Sequence, residues 1–214
     1  MISIGLTGNV ASGKTTVADR WSEAGVRVID ADRLGHAVLA EDGAAREALV
    51  EAFGEGILTA GGSIDRAALG ERAFADDDGV RRLNAIVHPP LLERLRSELE
   101  RAALSGEPLA VVDAALVFEF GMDDDLDAVV LVTAPPELRA DRLRKSRGLD
   151  DERIARLMAA QIPDAEKEDR SDYVVVNDGS IEDLEAAADR TLARIRADFA
   201  LDDPTPHAKE NDHA

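Results

Sequence analysis

The segment from Gly8 to Thr15 has the residue types and spacing of a loop that binds phosphate. It reads Gly-Asn-Val-Ala-Ser-Gly-Lys-Thr and fits the pattern G-x-x-x-x-G-K-[ST]. In this pattern the glycines allow a sharp turn and a close approach of backbone to phosphate, the lysine reaches the outer phosphates, and the last hydroxyl holds Mg²⁺. The candidate nucleotide contacts are therefore Gly8, Ala11, Ser12, Gly13, Lys14, Thr15 and Thr16, with Thr15 also a metal ligand.

The flanking sequence favours this interpretation over that of a chance glycine turn. Residues 2–6 are predicted to form a short buried strand, and residues 15–24 carry apolar side chains at helical spacing. A strand, the loop and a helix in this order bring the positive end of the helix dipole to the phosphates. The loop thus predicts that a nucleoside triphosphate binds, but it does not identify the group that receives the phosphate.

Carboxylates follow two further predicted strands. Residues 26–29 lead to Asp30 and Asp32, and residues 109–112 lead to Asp113. Ligands of open α/β sheets bind at the carboxyl ends of the strands, so these side chains are expected near the phosphate loop. Asp113 resembles the strand-end carboxylate that binds Mg²⁺ in such proteins. Asp32 is the candidate carboxylate for an attacking hydroxyl, with simple capping of the next helix as the alternative.

A basic cluster follows the fourth predicted strand, although the chain carries a net charge of −19. Arg142 and Arg147 are the better candidates for phosphate contacts, because they lie near a turn between two helices that could close as a lid. The alternative is a solvated helix face whose cations pair with nearby acidic residues. The cluster consists of Arg139, Arg142, Arg144, Lys145 and Arg147, and the acidic residues are Asp141, Asp150, Asp151 and Glu152.

Apolar strands alternate with helices along the chain, which predicts a doubly wound parallel α/β sheet of about five strands. The remaining two strands are expected at residues 128–132 and 173–176. We expect one domain over residues 1–200, followed by a disordered acidic tail over residues 201–214. The parts of the domain would be a core (1–32, 106–138 and 170–200), a helical acceptor lobe (33–105) and a helical lid (139–169).

The acceptor lobe is expected to contain helices and no strand. These helices would cover residues 33–40, 44–53, 65–74, 76–87 and 91–104, with a cap at Asp65 and another within residues 76–78. A break is expected at His88, Pro89 and Pro90, because proline removes a hydrogen bond from a helix interior. In the lid, a helix capped by Asp150 is expected to contain Gln161.

The composition excludes several classes of function. None of the 214 residues is cysteine, which excludes disulfides and thiolate catalysis. The net charge of −19 argues against nucleic acid as the main partner, since a phosphate backbone needs a basic face. No apolar run approaches the ~20 residues of a membrane helix, and no secretion signal is recognised. We therefore expect a cytoplasmic protein without a membrane partner, whose oligomeric state is open with a monomer favoured.

Taken in order, these motifs resemble the dephospho-coenzyme A kinase family, from Ile2 to about Arg194. The phosphate loop is the one specific motif, and the ordered set is more specific than any of its parts. The other positions on which the resemblance rests are residues 5–8, 28–32, 53–54, 65–66, Leu69, 83–89, 116–119, 142–147, Gln161, Asp172, Asn177 and Gly179. The resemblance implies a phosphotransferase of the P-loop NTPase fold, which uses ATP to phosphorylate the ribose 3′-hydroxyl of dephospho-coenzyme A.

The resemblance also implies roles for single residues. Asp32 would be the base or orienting carboxylate for the ribose hydroxyl, while Lys14 and Arg142 would contact the phosphates. His88, which by its type alone is more often structural, would help to bind the acceptor. Asn177, which could otherwise be only a turn former, would lie near the adenine of ATP.

The chain departs from the family pattern at four positions. Glycines are usual where this chain has Asn9 and Ala11, and proline and leucine are usual at Ala115 and Val117. Asn9 could tolerate a left-handed backbone. Ala11 is expected to have a negative φ, the condition under which alanine fits there. The other two changes bear on the geometry of the acceptor side rather than on the reaction type.

Two other functions stay open from the sequence. One is that of a small P-loop kinase acting on a nucleoside, a nucleoside monophosphate or a small metabolite. The other is that of a non-catalytic nucleotide-binding regulator, which would keep the loop and need no base. A comparison of acceptors separates the first from the family's reaction, and an Asp32→Asn variant separates the second.

Overall fold

The structure is a computed structural model that describes residues 1–73, 75 and 77–202. The expected helix end at Phe74, the first residue of the cap expected within residues 76–78, and the tail from residue 203 lie outside the described residues. The chain divides into two compact units. The first contains Met1–Val28 and the described residues from Ala102 onward, and the second contains Ile29–Arg101.

The chain contains a five-stranded sheet, of which all but Ile29 and Asp30 belong to the first unit. Its strands are β1 (Ile2–Thr7), β2 (Arg27–Asp30), β3 (Leu109–Asp113), β4 (Ala128–Thr133) and β5 (Tyr173–Val176), in the spatial order β2-β3-β1-β4-β5. β1 pairs in parallel with both β3 and β4, and β4 pairs in parallel with β5. The predicted doubly wound α/β sheet of about five strands is therefore confirmed.

Helices connect the strands. They are α1 (Lys14–Glu23), α2 (Ala31–Glu41), α3 (Gly43–Phe53), α4 (Arg66–Ala73), α5 (Asp77–Leu104), α6 (Pro136–Arg147), α7 (Asp151–Ala159), α8 (Asp164–Asp169) and α9 (Ile181–Asp198), with short 3₁₀ turns at Glu55–Ile57 and Asp123–Asp125. Among the described residues, no helix is both long and apolar enough to cross a membrane.

The strands of the first unit are buried because they are almost continuously apolar. Ile4, Leu6, Val111 and Val130 have no exposed surface, as expected for strands that are covered on both faces. Trp21 of α1 is also fully buried, and its indole N–H donates to the carbonyl of Ala188 on α9 at 3.0 Å. The phosphate loop, which joins β1 to α1, is thus held between two firmly packed elements.

The second unit has its own small apolar core. The buried members are Leu49, Phe53, Ile57, Leu69 and Ala73, and Leu83, Ile86 and Val87 pack against them. Asp65 caps α4 as predicted, because its carboxylate accepts hydrogen bonds from the backbone N–H groups of Ala67 at 2.9 Å and Ala68 at 3.1 Å.

The predicted break at His88 is wrong, since α5 is one helix that passes through Pro89 and Pro90. Each proline removes a hydrogen bond and crowds the preceding turn, at a cost of ~3 kcal/mol. Side chains on both sides of the prolines are in apolar contact or buried: Ile86 packs against the core of the second unit, and Leu91 is 6% exposed. Burial of both halves explains how the helix continues through the prolines.

The prediction for the lid was wrong at one helix end. α7 stops at Ala159, so Gln161 lies in the connection to α8 rather than inside a helix. Pro163 follows, and a proline disfavours helical backbone in the residue before it, which explains the interruption. The cap at Asp150 is confirmed, because its carboxylate accepts from the backbone N–H of Arg153 at 2.8 Å.

Candidate active site

The glycines of the phosphate loop are required by the packing around them. A side chain at Gly8 would meet the carbonyl oxygen of Val132 at 2.5 Å. Gly13 has a φ of 102°, in the left-handed region, and a side chain there would collide with the amide of Asn177. Gly13 is also the N-cap of α1, so the positive end of this helix begins at the loop.

The remaining candidate residues of the loop differ in their exposure. Ser12 is buried, and its backbone N–H closes a turn by donating to the carbonyl of Asn9 at 3.0 Å. Thr15 and Thr16 lie in the first turn of α1, where Thr15 is exposed and Thr16 half-buried. The Thr15 hydroxyl is therefore open to a ligand that sits at the loop.

Lys14 and Asp113 form an ion pair beside the loop. The two come together because Leu6, near the end of β1, lies opposite Asp113 at the end of β3 in the parallel register. Both side chains are mostly buried, with 13% and 14% of their surfaces exposed. Lys14, which the loop pattern predicted, and Asp113, which the strand topology predicted, are thus in direct contact.

A metal ion would find few protein ligands here. The part of the chain that the structure describes contains no group of three or more His, Asp or Glu side chains suited to a metal. The hydroxyl of Thr15 and the carboxylate of Asp113 are oxygen ligands of the kind Mg²⁺ takes, and Mg²⁺ in kinase sites completes its shell with phosphates and water. The residues present therefore fit a metal that binds together with a nucleotide.

Arg142 of α6 reaches the phosphate loop. One of its nitrogens donates to the carbonyl of Ala11 at 3.1 Å, and another donates to the side-chain oxygen of Asn177 at 2.9 Å. Asn177 is buried and in turn donates to the carbonyl of Ser12 at 2.7 Å. The structure thus brings Arg142 and Asn177 together at the loop, and Asn177 is more than a turn former.

The exposed cations of α6 have different partners from half-buried Arg142. Arg144 pairs with Asp141 and Asp151, each at 2.7 Å, and Lys145 pairs with Asp141 at 3.1 Å. Hydrogen bonding from Lys145, with a smaller contribution from Arg144, keeps the pKa of Asp141 below its usual value. The interpretation of a solvated helix face is therefore right for these two cations. Arg147 is exposed in the last turn of α6.

Asp32 lies in the second unit, in the first turn of α2. The cap of this helix is Asp30, whose carboxylate accepts from the backbone N–H of Arg33 at 2.9 Å. Asp32 is exposed, and its side chain forms no hydrogen bond or ion pair with another described residue. The alternative that Asp32 serves as the helix cap is therefore wrong, and its carboxylate is available for other chemistry.

His88 also belongs to the second unit, in the interior of α5. Its side chain is half-buried, and burial lowers the pKa of the imidazole below its ordinary value. His88 is therefore neutral near pH 7, so it can offer hydrogen bonds to a ligand but not a positive charge.

Three residues at the loop were not among the predicted site residues. Gln161 accepts a hydrogen bond from the backbone N–H of Val10 at 2.9 Å. Asp164 of α8 accepts one from the side chain of Asn9 at 2.7 Å and pairs with buried Arg139 at 3.3 Å. The sequence analysis noted Gln161 as part of the family resemblance and Arg139 as a member of the basic cluster. It contained no signal for Asp164.

The two departures within the loop have different consequences from those predicted. Ala11 has a φ of 62°, so the expectation of a negative φ is wrong. Asn9 is absent from the residues with positive φ, so its tolerance for left-handed backbone is not used. Its side chain instead donates to the carbonyl of Ile162 at 2.9 Å and to Asp164. Asn9 therefore ties the loop to the segment before α8.

The left-handed backbone at Ala11 gives a stability prediction. Left-handed geometry costs a residue with a Cβ about 1–2 kcal/mol, which glycine avoids. Glycine also gains freedom in the unfolded chain, so Ala11→Gly is expected to raise the free energy of unfolding by about 0.5–1 kcal/mol. Urea unfolding measures this change. The control is Ala186→Gly on the exposed face of α9, which is expected to lose about 1 kcal/mol. A loss of stability in Ala11→Gly would contradict the strain.

A family model and two related sequences carry the same description. The sequence model of a family described as dephospho-CoA kinase matches residues 2–183. A protein named dephospho-CoA kinase from Anaeromyxobacter dehalogenans is 42% identical over 193 residues, which are 90% of this chain and 92% of that protein. A protein of the same name from Corynebacterium glutamicum is 40% identical over 195 residues, 91% of this chain and 98% of that protein.

Solved structures with a similar fold include one from Thermus thermophilus, with a TM-score of 0.78 and 38% identity over 91% of this chain and 97% of that chain. A dephospho-CoA kinase from Campylobacter jejuni has a TM-score of 0.70 at 24% identity, over 92% and 98% of the two chains. A shikimate kinase from Acinetobacter baumannii has a TM-score of 0.52 at 17% identity, over 92% and 94%. The last two likenesses show the fold alone, which is that of P-loop kinases.

Proposed function

Because the chain belongs to the dephospho-CoA kinase family, we propose that it transfers the terminal phosphoryl group of ATP to the ribose 3′-hydroxyl of dephospho-coenzyme A. The products are coenzyme A and ADP. The observation that carries this proposal is the convergence of Lys14, Asp113 and Arg142 on the phosphate loop of a chain that matches the family over residues 2–183.

On the donor side, the loop amides and Lys14 bind the phosphates of ATP. Without nucleotide, the charge of Lys14 is neutralised by Asp113. On ATP binding, Lys14 would contact phosphate oxygens, and the carboxylate of Asp113 would serve as a ligand of Mg²⁺, directly or through water. Together with Thr15 it would hold the ion. The metal, when bound, neutralises charge on the phosphates.

Arg142 supplies a second cation from α6. Its guanidinium lies against the carbonyl of Ala11 and so is held at the surface of the loop. Phosphoryl transfer is catalysed mostly by positioning and by stabilising charge on the moving group. A fixed cation beside the loop serves both purposes without reorganising during the reaction. Arg147, one turn or more further along α6, is a further phosphate contact if the lid closes.

On the acceptor side, Asp32 orients the ribose hydroxyl and takes its proton. A ribose hydroxyl is a poor nucleophile, and a carboxylate within hydrogen-bond reach removes its proton as the new bond forms. The free carboxylate of Asp32 suits this role, since the cap of α2 is provided by Asp30. His88 contributes a neutral imidazole to acceptor binding, and the loop at Asn177 borders the adenine of ATP.

The proposal also assigns a role to each of the three parts of the domain. Residues 33–105 act as the acceptor lobe, residues 139–169 act as a lid, and the remaining parts of residues 1–200 form the core. We place the reaction in the cytoplasm and favour a monomer without a membrane partner, and the net charge of −19 argues against a nucleic-acid partner.

The proposal is tested by offering the protein different acceptors with ATP and Mg²⁺. Dephospho-coenzyme A is expected to be phosphorylated at least 100-fold more efficiently, in kcat/KM, than adenosine, AMP or shikimate. Because discrimination of this size needs a dedicated acceptor site, equal use of a nucleoside monophosphate would favour the general small-molecule kinase. ATP binding without transfer to any acceptor would favour the regulator.

A further inference from the structure

The side chain of Asn9 makes contacts that the phosphate-loop pattern does not require. Asn9 occupies a variable position of the pattern and is 4% exposed. Its amide nitrogen donates to the carbonyl of Ile162 at 2.9 Å and to the carboxylate of Asp164 at 2.7 Å. Both donors of this amide are therefore directed at one short segment, between α7 and the start of α8.

Asp164 connects Asn9 to a buried cation. One of its oxygens accepts from Asn9, and the other pairs with a terminal nitrogen of Arg139 at 3.3 Å. The Arg139 side chain is only 5% exposed. A buried guanidinium needs a counterion, because its charge is poorly solvated in the interior. Asp164 places a carboxylate beside this charge, although Nη1 of Arg139 does not hydrogen-bond to it, and Asn9 holds that carboxylate in place.

Arg139 and Arg142 lie one turn apart on α6, so fixing the first fixes the helix that carries the second. Arg142 in turn donates to the carbonyl of Ala11 in the phosphate loop. The loop is thus joined to α6 in two ways, directly at Ala11 and through Asp164 at Asn9. These contacts close a ring from the loop through α8 and α6 back to the loop.

We propose that Asn9, Asp164 and Arg139 are positioning residues that hold α6 in register with the phosphate loop, so that Arg142 meets the phosphates of ATP. This inference rests on the proposed binding of ATP at the loop and not on the identity of the acceptor. The ATP side of the reaction should therefore depend on these three residues, while the affinity for dephospho-coenzyme A should not.

A donor–acceptor exchange tests the proposal. Asn9→Asp places a carboxylate against Asp164, and Asp164→Asn removes the charge that balances Arg139. Each single variant is expected to raise the Kd for ATP, measured by titration calorimetry without acceptor, at least tenfold. In the double variant the amide at 164 can donate to the carboxylate at 9, which relieves the repulsion of the first single variant, while the carboxylate at 9 still faces the carbonyl of Ile162. The Kd is therefore expected to recover in part, to a value below that of either single variant.

Controls separate positioning from simple loss of structure. Asp141→Asn removes an exposed carboxylate of the same helix and is expected to leave the Kd for ATP unchanged. If a single variant fails to fold, Asn9→Gly replaces it, with an expected three- to tenfold rise in both the Kd and the KM for ATP and an unchanged KM for dephospho-coenzyme A. The proposal would be overturned if folded Asn9→Gly bound ATP with the wild-type Kd. It would also be overturned if the Kd of the double variant were higher than that of both single variants. Since ATP binding is measured alone, failure to phosphorylate dephospho-coenzyme A would count against the proposed function only.

Discussion

Replacing Asp32 with asparagine is expected to lower kcat for phosphoryl transfer by about 10²–10⁴-fold, the range typical for loss of a general base. Binding of ATP should stay near normal, because the donor residues at the phosphate loop are unchanged. The amide has nearly the same shape as the carboxylate but cannot accept the proton of the ribose hydroxyl. Steady-state kinetics at saturating substrates gives kcat, and titration calorimetry gives the Kd for ATP.

Asp30→Asn is the matched control for this variant. Asp30 is two residues away and caps α2, and asparagine caps helices about as well as aspartate. The control is therefore expected to keep both its stability and its kcat. Activity of Asp32→Asn equal to that of the wild type would remove the base role and favour an orienting contact or a different carboxylate.

Replacing Lys14 with alanine is expected to lower kcat by about 10²–10³-fold, the loss seen when one preorganised contact to a developing charge is removed. The lysine would otherwise bind the outer phosphates in the transition state. Its loss also leaves Asp113 without its cation, so repulsion between this carboxylate and the phosphates adds to the effect. Single-turnover kinetics with ATP and dephospho-coenzyme A measures the chemical step.

Lys145→Ala provides the comparison for Lys14→Ala. Lys145 is an exposed lysine of α6 that pairs with Asp141, and its removal is expected to change kcat less than twofold. Equal losses in the two variants would point to a general electrostatic effect. An active Lys14→Ala protein would show that the loop binds phosphate without using its lysine.

The sheet and the phosphate loop could be predicted from the sequence because their signals are local. Apolar runs such as residues 109–112 indicate buried strands, and the loop pattern carries its own mechanism. The position of Lys14 followed from the loop pattern, and that of Asp113 followed from the topology of parallel strands, whose carboxyl ends share one edge. The choice of Asp32 over Asp30 followed from its place in the first turn of the next helix.

The rest of the site depends on contacts between residues far apart in the chain. The carboxylate of Asp164 meets Asn9 across 155 positions, and no spacing rule links them. The backbone of Ala11 adopts a left-handed conformation that an isolated alanine avoids, because the surrounding loop imposes it. Burial of the side chains on both sides of Pro89 likewise keeps α5 continuous, although the local propensity of proline predicts a break.

The most direct test of the central claim is to identify the product formed from ATP and dephospho-coenzyme A. Mass spectrometry of the reaction mixture is expected to show one phosphate added to dephospho-coenzyme A, and phosphorus NMR is expected to place it on the ribose 3′-oxygen. The product would then be coenzyme A, formed in equal amount to ADP. ADP formation without a phosphorylated acceptor, or a phosphate on another position, would contradict the assignment.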